Sequence, residues 1–132
     1  GKIEPGQFAG YLDLIGAWFN GAAIMVERNN HGHAVLNALR TSNVLLVIHG
    51  HDGRPGWPMT HKSKVILYDL VAEAFRHVET KLHSFVTLTQ LQSIDGTTLR
   101  APEGQYDDRA MAYALGLAGV LRVLPAVRAW KK

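Results

Sequence analysis

The stretch AAIMVERNNHGHAVLNALRTSNVLLVIH, residues 22–49, decides the fold class. Residues 22–26 form a short continuous apolar run of the length expected for a strand covered on both faces. Residues 33–42 then place Val35, Leu36 and Leu39 on one helical face, and residues 43–49 form a second buried apolar run. Strand, helix, strand in that order implies a right-handed crossover and parallel pairing, because so long an amphipathic connection is no hairpin. Ligands of such sheets gather at the carboxyl ends of the strands, and Glu27 sits there. A carboxylate ending a buried strand must be paired, hydrogen-bonded or metal-bound. Neighbouring strand residues point to opposite faces, so Arg28 is not its natural partner. The counter-charge must come from another strand end, a helix N-terminus or a hard divalent cation.

Outward from this core, Pro5 opens a helix whose buried face is expected at Phe8, Leu12, Ile15 and Phe19. Residues 50–61, GHDGRPGWPMTH, hold three glycines and two prolines and read as a loop or irregular hairpin. KSKVILYDLVAEAFRH, residues 62–77, is a helix by the spacing of Val65, Leu67, Leu70, Val71 and Phe75. Residues 79–85 are expected to form a short strand, and Thr87 with Gln90 makes a capping-box pattern for a short helix. Asp95-Gly96 and Glu103-Gly104 mark turns, and a last helix opens at Asp107-Asp108 and is expected to stop before Pro125. Trp18, Phe75 and Tyr113 are expected in or near the core, and Trp57 to pack its loop onto the domain rather than stack on a base.

The 132 residues suit a single domain, 1–132, and 47% apolar against 19% charged residues is ordinary for a globular protein. Cysteine is absent, which excludes disulfides, thiolate zinc sites and cysteine nucleophiles. No apolar run approaches the length of a membrane span and no signal peptide is visible, so a cytosolic location is expected. Fourteen Lys and Arg against eleven Asp and Glu permit a polyanionic partner without requiring one.

Three carboxylates stand out by position: Glu27, Asp107 and Asp108. For the adjacent pair the competing explanation is helix capping, where Asp satisfies free backbone N–H groups and the macrodipole. His31, His33, His49 and His51, with Asp52, offer a zinc alternative whose spacing matches no specific motif, against local hydrogen bonding in polar loops. Arg54, Lys62 and Lys64 lie in or beside the glycine-rich loop, either as phosphate contacts or as a solvated helix start.

Three blocks carry a resemblance: LIGAWFNGAAIMVERNNHGHAVLNAL (14–39), GWPMTHKSKVILYDLVAEAF (56–75) and APEGQYDDRAMAYALGLA (101–118). In this order and spacing they resemble the C-terminal nuclease domain of tailed-phage terminase large subunits, over nearly the whole chain. The resemblance implies an α/β, ribonuclease H-like fold with a short, mostly parallel sheet flanked by helices. It implies two divalent ions, Mg2+ or Mn2+, and endonucleolytic cleavage of double-stranded DNA during genome packaging in the host cytoplasm. Glu27 matches the family's second acid, and Asp107 and Asp108 its third, with Asp108 narrowly preferred as the metal ligand. Lys62, Lys64 and Arg54 match a segment lying near DNA. The family's other partners are an ATPase domain, the portal and the small terminase subunit.

The family's opening strands and first Asp have no counterpart in these residues, and Asp13, mid-helix between Leu12 and Leu14, is no substitute. Two expectations follow: impaired catalysis, and a homo-oligomer joined through an uncovered edge along residues 22–26 and 44–48. The alternative is a non-catalytic DNA-binding or assembly module completed by a partner's strands.

Overall fold

A computed structural model describes residues 3–42 and 46–130, the segment 123–130 as backbone only. Among the described residues the protein is α/β, with five helices and a short two-stranded parallel sheet. It divides into two compact units, one made of the chain through Met59 together with the end of the last helix from Gly119, the other of Thr60–Ala118.

In the first unit, α1 (Pro5–Trp18) and α2 (Asn30–Leu39) pack together beside β1 (Glu27–Arg28) and β2 (Trp57–Pro58). The parallel crossover expected from residues 22–49 is present: Ile24 bridges Val47 in parallel, with Ile24 N–H donating to Leu46 O and Ile48 N–H to Ile24 O, both 2.8 Å. Residues 43–45 of the second apolar run lie outside the described residues. The strand partner is then interrupted. The chain turns out at Gly50, returns through Gly56, and Trp57 resumes the parallel ladder by donating to Val26 O at 2.8 Å. The loop reading of residues 50–61 thus missed β2, because a two-residue strand ending in proline carries no alternation to detect. Gly56 makes the return possible: its φ is +75°, and a Cβ there would lie 2.8 Å from Val26 O.

Val26, Val35, Leu36 and Leu39 are buried as expected, with Ile24, Val47 and Leu12 packed against them. The face of α1 differs from expectation. Ala9 and Gly16 are its buried residues, while Phe8, Ile15 and Phe19 are exposed and Trp18 is 85% exposed. Of the four residues expected on the buried face only Leu12 packs against the core, beside the small Ala9, while Phe8, Ile15 and Phe19 remain outside.

In the second unit, α3 (His61–Arg76) buries Leu67, Val71 and Ala74, close to the expected span. A capping box between Thr60 and Ser63 opens it. Residues 79–84 are irregular rather than a strand, and α4 (Phe85–Ser93) starts before the expected capping box. Ser84 caps it by accepting from Thr87 N–H at 3.2 Å. The third element, α5 (Asp108–Trp130), begins as expected but runs through Pro125. A proline inside a helix removes one backbone bond and is costly, though not prohibitive, for a long helix. Phe75 and Tyr113 stack with centroids 6.1 Å apart.

Two loop carboxylates give a pH dependence. Arg28, hydrogen-bonded to Asp52, holds that carboxyl below its ordinary 3.8, and the Thr98 amide does the same for Asp95. A depressed folded-state pKa contributes stability that is fully present above the unfolded value and lost as pH falls through the folded one. The thermal midpoint should therefore hold near neutral pH and drop below about pH 4. Asp95→Asn should flatten that drop in a pH series of melts.

Candidate functional site

Glu27 opens the two-residue strand β1 directly after the apolar residues 22–26, of which Ile24 bridges Val47; it is half-buried, with two residues between it and α2. Its position is fixed by Asn29, whose Nδ2 donates to Glu27 Oε1 at 3.0 Å while its Oδ1 accepts from Gly32 N–H at 2.8 Å. One side chain thus caps α2 and orients the carboxylate; the sequence signal for it is an Asn directly before an amphipathic helix. Among the described residues Oε2 of Glu27 has no hydrogen-bond partner. Arg28 turns the other way, as strand alternation requires, pairing with Asp52 and donating to Pro55 O at 3.3 Å.

The second unit carries Asp107 and Asp108 at the start of α5. Here the capping explanation fails for Asp107. The N–H groups of Arg109 and Ala110, which an N-cap carboxylate would satisfy, instead donate to Gln90 Oε1 from α4 at 2.9 and 3.1 Å. Asp107 is half-buried and contributes its backbone oxygen to Met111 N–H at 2.8 Å, leaving its carboxylate outside the cap. Asp108 is exposed in the first turn, where its charge suits the macrodipole.

Nearby, Tyr68 on α3 has a buried hydroxyl with no partner among the described residues. Burial first, and the negative charge of Asp107 second, push its phenol up to about 12. Gln90 and Tyr68 were not legible as site residues, since one lies mid-helix and the other within an apolar helical face. Gln90→Ala should leave two helix amides without that acceptor and cost about 1–2 kcal/mol of stability, measurable by urea unfolding.

The candidate phosphate contacts are divided between the units. Arg54 is exposed in the loop before β2, its amide donating to Asp52 Oδ1 at 3.2 Å. Lys62, exposed, and Lys64, half-buried, lie in the first turn of α3, an end where the macrodipole disfavours cations and favours anions. Trp57 is 1% exposed, so it packs and does not stack on a base. His51 meets its ring edge-on at 5.1 Å, and the Arg122 guanidinium lies 5.8 Å from its centroid. Among the described residues, His31, His33, His49, His51 and Asp52 form no three-ligand group.

No family model, curated protein or solved structure matches the chain.

Proposed function

We propose that the chain is the nuclease part of a DNA-packaging terminase large subunit, with a ribonuclease H-like fold and divalent-metal-dependent cleavage of double-stranded DNA. The observation that carries the reading is Glu27, a carboxylate in the short parallel strand β1 that follows the apolar run 22–26, anchored by Asn29 through one oxygen only. The three colinear blocks around Glu27, Lys62 and Asp107 add to it. Within each unit by itself the donor chemistry fits hard cations: Glu27 Oε2 in the first unit, and in the second the uncapped carboxylate of Asp107 with Asp108 beside it, are oxygen ligands of the kind Mg2+ or Mn2+ takes. Asp107 is the stronger candidate of the pair, because Gln90 has taken over the capping duty. When bound, paired metals activate the attacking water and stabilise the leaving oxygen. Asn29 and Gln90 hold the two acidic segments in place, and Arg54, Lys62 and Lys64 meet phosphates.

Relaxation of supercoiled plasmid in Mn2+, abolished by EDTA and by Asp107→Asn, is the expected result. A second reading, a non-catalytic module that binds DNA or a partner, draws on the same cations and on the backbone groups of Ala23 and Met25, which have no hydrogen-bond partner among the described residues. It predicts DNA binding that weakens steeply with salt, without cleavage. Neither cleavage nor salt-dependent binding would reject both.

A further inference from the structure

Two tyrosines lie where α3 meets α5, and they differ in what their hydroxyls do. Tyr113 of α5 stacks on Phe75 of α3 and shares a hydrogen bond with Thr80 Oγ1. Tyr68 lies seven residues before Phe75, so the two share a face of α3 about two turns apart. Asp107 lies six residues before Tyr113, where α5 begins. The Phe75–Tyr113 stack joins the two helices at one level, and two turns earlier the charge of Asp107 reaches the Tyr68 phenol. All four residues belong to the unit Thr60–Ala118. The Tyr68 hydroxyl is closed to solvent and has no hydrogen-bond partner among the described residues. A buried hydroxyl without a partner lowers stability, and a phenylalanine ring would fill the same space without that loss. Local violations of this kind gather where a function uses the group.

From this arrangement we infer that Tyr68 is a positioning residue for Asp107: when Asp107 gives one carboxylate oxygen to a divalent ion, the Tyr68 hydroxyl donates to the other. The inference rests on the reading of Asp107 as a metal ligand. A carboxylate bound through one oxygen keeps lone pairs on the other, and a neighbouring donor there fixes its orientation toward the ion. Gln90 accepts the α5 amides in place of Asp107, which leaves this carboxylate free for both partners. In the absence of metal the hydroxyl contributes nothing to the fold.

Calorimetric titration of the full chain with Mn2+ measures the effect, and urea unfolding without metal separates it from packing. Tyr68→Phe is expected to weaken Mn2+ binding about tenfold or more. Its metal-free unfolding midpoint should be unchanged or slightly higher, because the deleted hydroxyl has no partner to lose. In an Asp107→Asn background Tyr68→Phe should change Mn2+ binding no further, since the carboxylate that it orients is gone. Parental Mn2+ affinity in Tyr68→Phe would overturn the inference and leave the metal reading of Asp107 standing. Equal losses of affinity in both backgrounds would also overturn it, as would a lower metal-free midpoint, which marks the hydroxyl as structural. No Mn2+ binding by the parent chain would sink the metal reading itself, and this inference with it.

Discussion

Gly32→Ala should destabilise the protein by about 3 kcal/mol or more, among the largest effects of any single methyl group in this chain. A Cβ at Gly32 would lie 1.8 Å from the carbonyl oxygen of Glu27 and 2.9 Å from its carbonyl carbon. Both are backbone atoms, so no side-chain rotation relieves the contact. Either the N-terminus of α2 lifts away or the strand end moves, and each breaks the arrangement in which Asn29 caps the helix and holds the Glu27 carboxylate. Urea unfolding measures the loss. Gly6→Ala is the matched control: it lies in the first turn of α1 with nothing within 4 Å of its would-be Cβ, and should be neutral or mildly stabilising.

Trp57→Ala should cost about 3–5 kcal/mol, the usual range for removing a fully buried aromatic. Trp57 is 1% exposed, supplies the ladder partner of Glu27, and supports the loop that carries His51. Its Nε1 is buried and has no partner among the described residues, which separates two substitutions. Trp57→Phe keeps much of the packing and removes an unsatisfied donor, so it should cost about 1.5 kcal/mol or less. Equal losses for the two variants, read from the same denaturation curves, would mean that the ring volume is not what holds the loop.

The parallel crossover could be read from sequence because its evidence is local. Two apolar runs of strand length flank a helix whose buried residues fall at Val35, Leu36 and Leu39, and all three are buried. What was not legible depended on partners distant in sequence. The packing face of α1 depends on what α2 brings against it: Ala9 joins the core with Leu12 beside it, while Phe8, Ile15 and Phe19, which hydropathy alone also selects, stay exposed. The strand resumed at Trp57 is held by hydrogen bonds to Val26, and two residues are too few to carry a period. At the candidate site, Glu27 stood out because a charge directly following an apolar strand is unusual. Asp107 is ambiguous between cap and ligand in the sequence, because the residue that accepts the α5 amides in its place, Gln90, lies 17 positions earlier in the chain. A mid-helix glutamine gives no sign of such a role.

The proposal of a metal-dependent DNA nuclease depends most on Glu27, whose carboxylate is oriented by Asn29 just beyond β1. Glu27→Gln changes one oxygen to an amide and keeps the size of the side chain, so the strand end and the α2 cap should remain intact. The rate of Mn2+-dependent nicking of supercoiled plasmid by this variant, compared with the parent, is the most direct measurement. A fall of about a hundredfold or more, with an unchanged melting curve, is the predicted result. Nicking at the parental rate would contradict the assignment of Glu27 as a metal ligand.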